Sequence, residues 1–382
     1  MGPGTPDRAP GGHGHPASAR WSAGPETSVE AGPVTGGGTV LLTGGLGGAH
    51  LAPALARALA PGRLTVVVNV GDDLDWHGLR VCPDLDTVLY AACGRLDRAR
   101  GWGLVGDTFA TRTALEDLGE DGWFGVGDRD LATHLLRTER LRAGASLTET
   151  VGELARRLGA HGFTVLPASD VPCPTRLVLA DGRQCSFQEW YVGAGAMPPV
   201  REVVVARGNA TPAVLDALAR ADAVVLGPSN PATSIGTILR LGGVTEALGG
   251  AGTVVAVSPT VVATPPPAAV EHHTRARRTV LAASGDTDTP AGVAAFYARR
   301  FPGLVGSFVV DRSDAADAAG VARCGLRPVL APLLDPAGLA AVVAGLVTRP
   351  PGGPTPGPVA GPTPGPGRLR RPPRTPVDAP SS

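Results

Sequence analysis

Residues 39–50 read TVLLTGGLGGAH, a short run of β-branched and aliphatic residues that opens into glycines. Residues 64–73 read LTVVVNVGDD, a second, nearly continuous apolar run that ends in two carboxylates. Apolar runs of this length are typical of buried parallel strands. The segment between them, Ala49–Ala60, is rich in Ala and Leu and predicts a helix. Strand, helix and strand in this order indicate a parallel βαβ unit.

The same alternation continues along the chain. Further strands are predicted at Ala223–Leu226, Thr253–Val257, Val309–Val310 and Val329–Leu330. Further helices are predicted at Pro83–Ala92, Pro212–Ala219, Gly292–Arg300 and Pro336–Leu346, with several helical stretches between 109 and 158. Asp181-Gly182 is a turn signal between two short apolar runs, which predicts a hairpin over 176–187. We therefore predict an α/β fold: an open, mostly parallel Rossmann-like sheet with an inserted helical lobe at about 95–160 and a β-hairpin.

The two ends of the chain differ from its body. Residues 1–38 and 348–382 are rich in Gly and Pro and have no hydrophobic period. Such segments bury too little apolar surface to offset the entropy of ordering them. We predict that both tails are disordered and that residues 39–347 form one folded domain.

Composition excludes several classes of function. The 34 basic and 34 acidic residues balance, so no overall field attracts nucleic acid or an anionic membrane. Every basic residue is Arg, which excludes a Schiff-base enzyme and a Lys-dependent P-loop. The five cysteines are odd in number and have no CxxC spacing, so free thiols are predicted. Without an apolar leader or a span of about 18 apolar residues, the prediction is a cytoplasmic protein.

Ligands of open α/β sheets bind beyond the carboxyl ends of the strands, so the loops there are the candidate sites. The turn after the first strand holds four glycines: Gly44, Gly45, Gly47 and Gly48. They would let a phosphate approach a helix N-terminus, although a merely tight turn would look the same. After the second strand, Asp72 and Asp73 could hold Mg²⁺ through oxygen. Alternatively, Asp72 caps a turn and Asp73 is solvated.

Two further segments carry polar side chains that could contact a ligand. The first comprises His77, Arg80, Asp84, Asp86 and Thr87, each of which could equally be a cap or a surface charge. The second, after the strand at 223–226, comprises Ser229, Asn230, Pro231, Ser234 and Gly236. Its uncharged donors and acceptors suit a heteroaromatic or sugar-like ligand, or form an ordinary capped turn. Asp130 is predicted to be the N-cap of a helix, and Phe187 and Trp190 could wall an aromatic ligand or pack in the core.

Taken in order, these blocks resemble the 2-phospho-L-lactate transferase family, whose actinobacterial members act as phosphoenolpyruvyl transferases in coenzyme F-420 biosynthesis. The resemblance runs from about Val40 to Leu346. It is carried by VVVNVGDDLDWHGLRVCPDLDTVLY, RGWGLVGDTF, DGWFGVGDRDLATHLLRTERLRAG, FQEWYV and GPSNPATSIGTIL. The missing GxGxxG fingerprint argues against the alternative of an NAD-dependent oxidoreductase.

The resemblance implies an enzyme that moves a phosphoenolpyruvyl or 2-phospho-L-lactyl group. The acceptor would be the ribityl hydroxyl of the deazaflavin Fo, and the donor a guanosine diphosphate derivative of the three-carbon acid. GMP would leave and (dehydro) coenzyme F-420-0 would form. The resemblance also implies Mg²⁺ on Asp72 with Asp73 assisting, the donor diphosphate at the glycine turn, and a homodimer. Ser229, Asn230 and Ser234 would line the pocket for Fo and donor.

The chain departs from the family pattern at the parts expected to face the donor. His50 stands where members usually have Arg or Lys. After Ser258-Pro259, the usual glycines and basic residue are replaced by residues 262–267, VATPPP. These changes predict weaker donor binding. Two alternatives therefore stay open: a paralogue with an altered donor or product, and a non-catalytic regulatory relative that binds nucleotide sugars.

Overall fold

The computed structural model describes residues 37–264 and 268–348. The predicted disordered tails lie outside these ranges, apart from Gly37, Gly38 and Thr348. In the described part of the chain, no helix is long and apolar enough to cross a membrane.

The described residues form twelve strands and twelve α-helices. The strands are β1 (Thr39–Thr43), β2 (Leu64–Val68), β3 (Leu74–Trp76), β4 (Leu79–Val81), β5 (Thr164–Pro167), β6 (Thr175–Leu179), β7 (Gln184–Ser186), β8 (Val200–Val205), β9 (Ala223–Leu226), β10 (Thr253–Val257), β11 (Ser307–Asp311) and β12 (Arg327–Ala331). The helices are α1 (Gly45–Ala58), α2 (Pro83–Ala92), α3 (Ala110–Asp117), α4 (Asp128–Arg142), α5 (Leu147–Leu158), α6 (Pro212–Ala219), α7 (Gly236–Leu239), α8 (Val244–Leu248), α9 (Ala268–Ala283), α10 (Pro290–Arg300), α11 (Ala318–Arg323) and α12 (Pro336–Val347). Two π-helical turns, Glu189–Gly193 and Pro231–Ile235, and a 3₁₀ segment, Arg312–Asp317, complete the set.

Seven strands form one sheet in the order β12-β11-β10-β9-β1-β2-β5, and every neighbouring pair is parallel. The predicted open parallel sheet is therefore confirmed. All five residues of β1 are buried, as expected for a central strand covered on both faces. Its register pairs Thr43 with Val68 of β2 and Leu42 with Leu226 of β9, so the three strands end nearly level. The chain moves from β1 to β2 and returns later to β9, which makes β1 a topological switch point.

The remaining strands lie outside this sheet. The predicted hairpin is confirmed as β6 and β7, which pair antiparallel, with β8 on the other edge of β6. β3 and β4 form a second hairpin. Helices α3, α4 and α5 lie between α2 and β5 in the chain, and α4 contacts both β4 and α5. Trp76, Val81, Phe124 and Val126 form a small apolar cluster of their own, separate from the main core.

The sequence analysis did not predict eight of the elements, and it misplaced the start of α1. The missed elements are β3, β4, β5, β8, α7, α8, α9 and α11. β5 has only four residues, and all six residues of β8 are half-buried or exposed, so neither carries a clear signal of a buried strand. The buried Ala276, Val280 and Leu281 of α9 recur at helical spacing, but charged residues separate them. The first helix begins at Gly45 and not at Ala49, because the glycine turn itself forms its first turn.

Candidate active site

A cavity of about 1020 Å³ opens where β1, β2 and β9 end. Its wall includes residues from the loops that follow all three strands. The predicted site residues on this wall are Gly44, Gly45, Gly47, Asp72, Asp84, Asp86, Thr87, Ser229, Asn230 and Ser234. The level ends of the three parallel strands bring these distant segments together. The crevice at the switch point is thus the candidate active site.

The glycine turn packs closely on its neighbours. The N–H of Gly44 donates to Ser229 Oγ at 3.0 Å, and the N–H of Gly45 binds Asp84. A methyl group on Gly45 would lie 2.7 Å from Asp84 Oδ1. One on Gly47 would lie 2.6 Å from Ser229 Oγ, so the glycines are needed for contact between loops. Leu46 and Gly47 follow on the cavity wall, at a helix N-terminus where an anion is favoured.

Gly48 does not reach the cavity. A methyl group there would lie 2.6 Å from Thr43 Cγ2, so Gly48 allows α1 to pack on the end of β1. Of the four predicted phosphate-facing glycines, this one has a packing role.

Asp72, which is buried, and Asp84, which is half-buried, are two carboxylates on the cavity wall. Asp72 is 7% exposed, and its Oδ1 has no hydrogen-bond partner among the described residues. Burial raises the pKa of Asp72 well above its usual range, and the charge of Asp84 raises it further. Burial also raises the pKa of Asp84, to about 6, although Asn69 Nδ2 donates to its Oδ2 at 2.9 Å. An unpartnered buried carboxylate oxygen beside a second carboxylate fits a hard divalent cation.

Asp73 does not face the cavity beside Asp72, where the resemblance had placed it. Its Oδ2 accepts a hydrogen bond from Cys82 Sγ at 3.1 Å, and burial raises its pKa to about 7. The two carboxylates diverge in the turn after β2, whereas the first turn of α2 brings Asp84 to the cavity. Asp73 Oδ1 also lacks a hydrogen-bond partner among the described residues, but of Asp73 and Asp84 only Asp84 lines the cavity together with Asp72.

Asp86 belongs to a buried charge network between α2 and α4. Arg137, whose side chain is fully buried, donates to both carboxylate oxygens of Asp86. Arg137 Nη1 also lies 3.3 Å from His134 Nδ1, and His134 Nε2 lies 3.4 Å from Asp130 Oδ1. Tyr90 Oη donates to Asp130 at 2.5 Å. Although Asp86, Asp130 and His134 are close enough to share a cation, Arg137 already supplies a positive charge, so we interpret the network as holding the lobe to the sheet.

The prediction that Asp130 is a helix N-cap was wrong. α4 begins at Asp128, after Gly127 as the N-cap, so Asp130 lies in the first turn and its carboxylate points inward to Tyr90. Asp128 instead accepts from the N–H groups of Ala110 and Thr111 at the start of α3. On α2, Thr87 Oγ1 donates to a backbone carbonyl one turn earlier, while the residue still lines the cavity.

The loop after β9 supplies uncharged side chains, some of them already engaged. Ser229 Oγ lies 3.0 Å from Thr43 Oγ1 and ties β9 to β1. Asn230 Oδ1 accepts from the N–H groups of Ala232 and Thr233, which caps the π-helical turn. Both residues still line the cavity, so they position the loop as well as forming part of the wall.

Pro231 and Gly236 do not line the cavity. A methyl group on Gly236 would lie 2.5 Å from the carbonyl oxygen of Pro231, so the pair closes the π-helical turn. Ser234 lies between them in sequence and does reach the wall.

His77 and Arg80 also lie away from the cavity, on the β3–β4 hairpin. His77 is exposed and has a φ of +46° at the hairpin turn. Arg80 Nε lies 3.2 Å from Asp75 Oδ1, and the backbone N–H of Arg80 donates to Thr138 Oγ1. Their density in the sequence reflects a hairpin that contacts α4, and not a ligand.

A further part of the wall comes from residues that the sequence did not single out as a group. Tyr191 follows the β6–β7 hairpin, and His272 and His273 lie on the unpredicted α9. Phe187 lines the cavity beside them, whereas Trp190 is 1% exposed in the core. The signal available in the sequence was the adjacent histidine pair.

The loop after β10, which departs from the family pattern, reaches the cavity with Ser258, Pro259, Thr260, Val261, Val262 and Thr264. The N–H groups of Val262 and Ala263 donate to the two carboxylate oxygens of Asp314, each at 2.7 Å. Residues 265–267 lie outside the described ranges. The amides at 262 and 263 are therefore already bonded within the protein.

His50, on α1, lines the cavity, and burial together with the charge of Arg98 lowers its pKa. Arg277 also lines it, but its Nε lies 2.6 Å from Asp288 Oδ1. Both residues thus offer an anion less positive charge than an unpaired Arg or Lys would.

Comparisons with known proteins identify the family of the chain. The model of the family described as 2-phospho-L-lactate transferase CofD matches residues 39–317. A protein named phosphoenolpyruvate transferase from Streptomyces griseus is 38% identical over 303 residues, covering 77% of this chain and 92% of that protein. One of the same name from Nocardia farcinica is 37% identical over 323 residues, covering 81% and 94%.

Among solved structures, a crystal structure of a UPF0052 family protein from Bacillus halodurans superposes with a TM-score of 0.56 at 16% identity. It covers 82% of this chain and 99% of that one, and at this identity it shows the fold alone. The family model spans β1 to β11, the lobe and the cavity loops up to residue 317, and the two curated relatives align over nearly their whole length. With the fold and the sequence blocks in agreement, the chain belongs to the 2-phospho-L-lactate transferase family and is a transferase.

Proposed function

We propose that the protein transfers a phosphoenolpyruvyl or 2-phospho-L-lactyl group from a guanosine diphosphate-linked donor to the ribityl hydroxyl of Fo. GMP leaves and (dehydro) coenzyme F-420-0 forms. The observation that carries the proposal is the joining of the glycine turn, the Asp72–Asp84 pair and the Ser229–Ser234 loop in one cavity. Phosphoryl-type transfer depends on alignment and charge neutralisation, which this arrangement can supply.

The donor diphosphate is expected at the N-terminus of α1. The N–H groups of Gly44 and Gly45 already bind Ser229 and Asp84, so a phosphate would meet the next amides, at Leu46 and Gly47. These amides carry the partial positive charge of a helix N-terminus. The helix would therefore orient the donor without a lysine side chain.

Asp72 and Asp84 would hold Mg²⁺, since one buried oxygen of Asp72 lacks a partner and the two charges repel each other without a cation. When bound, Mg²⁺ acts as a Lewis acid and neutralises developing charge on phosphate oxygens. Asn69 donates to Asp84 and fixes the orientation of that carboxylate.

The acceptor ring is expected against aromatic side chains of the same cavity. Phe187 and Tyr191 are stacked, with ring centroids 5.3 Å apart and an interplanar angle of 14°, and both line the wall. Trp102 and Phe124, from the lobe, line it as well. A planar heteroaromatic ring buries well against such surfaces.

The proposal is tested by incubating the protein with Fo, Mg²⁺ and each of the two guanylyl donors, with product detected by mass. We expect an F-420-0-type product and GMP with one donor at least, and none with EDTA. Absence of product with both donors would contradict the proposal. Nucleotide-sugar binding without product would favour the regulatory alternative. We also propose a homodimer, which light scattering of the same sample tests.

A further inference from the structure

The ring of Tyr191 is held between other rings at the cavity wall. Tyr191 lies in the π-helical turn Glu189–Gly193, a rare geometry that is frequent at functional sites. Phe187 stacks on one part of the ring, and His272 lies 4.3 Å away between centroids. These contacts fix the position of the phenol oxygen.

That oxygen is hydrogen-bonded to a histidine. Tyr191 Oη lies 2.5 Å from His273 Nδ1, and both residues line the cavity that contains Asp72 and Asp84. Burial raises the pKa of Tyr191, and the charges of Asp72 and Asp84 raise it further, so the phenol is protonated and donates. Burial lowers the pKa of His273 to about 4, with help from His272, Arg277 and His50, so the imidazole is neutral and accepts.

Three other groups on the wall that could accept a proton have another role. Asp72 and Asp84 are the carboxylates that fit the cation. His134, another imidazole on the wall, contacts Arg137 with Nδ1 and approaches Asp130 with Nε2. The arrangement of a hydroxyl bonded to a neutral imidazole is the one that enzymes use to move a proton during transfer to or from an oxygen nucleophile.

We propose that Tyr191 and His273 form a proton relay that accepts the proton of the attacking acceptor hydroxyl. This inference rests on the proposed function. The hydroxyl oxygen forms a bond to the phosphorus that carries the three-carbon acid, and the bond from that phosphorus to the oxygen of the nucleoside monophosphate breaks. The leaving nucleotide keeps the electron pair. The hydroxyl proton passes to Tyr191 Oη as the phenol proton passes to His273 Nδ1, and the imidazolium later releases it to water.

The relay acts while an anionic donor is bound, which favours a positive charge on His273. The groups that face His273 are His272 and Arg277 on its own helix and His50 from α1. Arg277 is paired with Asp288, which reduces its opposition to an imidazolium. In this scheme Tyr191 touches the substrate, and His273 acts through Tyr191.

The test compares Tyr191→Phe, His273→Ala and the double variant by kcat and KM in the product assay, and by binding of Fo and donor. Tyr191→Phe keeps the stacked ring and removes only the oxygen. Tyr297→Phe is the matched control, because Tyr297 is buried on α10 and does not line the cavity. His161→Ala, at an exposed loop position, is the control for loss of a histidine.

We expect each single variant to lower kcat by roughly 10²–10⁴-fold, the usual range for general base catalysis, with KM and both affinities nearly unchanged. The double variant should be no slower than the slower single one, since both residues serve one step. Added imidazole should restore part of the kcat of His273→Ala.

Three results would overturn the relay: near wild-type kcat in Tyr191→Phe, fully additive losses in the double variant, or losses confined to KM. Wild-type protein is measured in the same assay. Absence of product from wild type would refute the proposed function and the relay with it, whereas an active wild type beside an equally active Tyr191→Phe would refute the relay alone.

Discussion

Replacing Asp72 with Asn is expected to lower activity and to raise the stability of the metal-free protein. Asp72 is buried, its Oδ1 lacks a partner among the described residues, and Asp84 raises its pKa. Asn is nearly isosteric and uncharged, so it removes both the desolvation penalty and the repulsion. It also removes a ligand of the proposed cation, and transfer should fall by roughly 10²–10³-fold, as for other losses of transition-state electrostatics.

A scale for the stability gain comes from Asp84, the half-buried carboxylate on the same cavity wall. Its pKa is about 6 instead of the ordinary 3.8. At 1.36 kcal/mol per pH unit, ionising such a carboxyl at pH 8 costs roughly 3 kcal/mol of folding free energy. Asp72→Asn should therefore stabilise the metal-free protein, on the order of the ~3 kcal/mol scale that Asp84 sets, less what the new amide loses by burial.

The assay is urea unfolding at pH 8, with EDTA and with Mg²⁺, beside turnover of the same samples. Mg²⁺ at 100 times its dissociation constant should stabilise wild type by about 2.7 kcal/mol and the variant much less. Asp216→Asn is the control, since Asp216 is exposed on α6 and pairs with Arg220 one turn away. Wild-type turnover in Asp72→Asn, or equal stabilisation of both proteins by Mg²⁺, would refute the reasoning.

Three further predictions follow from the same geometry. Because the folded-state pKa values of Asp73 and Asp84 are raised to about 7 and about 6, the metal-free native state holds more protons than the unfolded state above pH 4. Its stability should then fall as pH rises from about 4 to 7, and unfolding free energies in EDTA that rise over this range would contradict the assignment. Gly47→Ala should weaken donor binding and destabilise the protein by about 1–3 kcal/mol, because its methyl group would overlap the loop after β9. Gly152→Ala, a helical position with open space around it, should leave donor binding unchanged, and calorimetry on both variants decides the point. Finally, His50→Arg should tighten the guanylyl donor by roughly tenfold, because a charge-assisted contact to phosphate contributes about 1.5–3 kcal/mol; unchanged donor affinity with unchanged Fo affinity would show that this position does not touch the donor.

The sheet was predictable because its strands carry their own signals. β1, β2, β9 and β10 are apolar runs whose burial on both faces requires continuous hydrophobic sequence. The loops that follow them were predictable as site candidates for the same reason, since parallel strands place their carboxyl ends at one edge. β8 and α9 carry weak signals because each is only partly covered, and α9 contributes residues to the wall of the cavity.

Within the site, the sequence alone determined that the loops after β1, β2 and β9 meet, and only the tertiary structure decided which side chains meet there and that α9 joins them. Asp73 and His77 are polar side chains in the same stretch of sequence as Asp72 and Asp84. A turn nevertheless directs Asp73 to Cys82, and a hairpin leaves His77 exposed. Spacing along a chain reports the period of a strand or helix, and so it predicts the fold. The direction of a side chain in a turn, and the pairing of Tyr191 with a histidine 82 residues away, depend on how separate elements pack, which no local pattern contains.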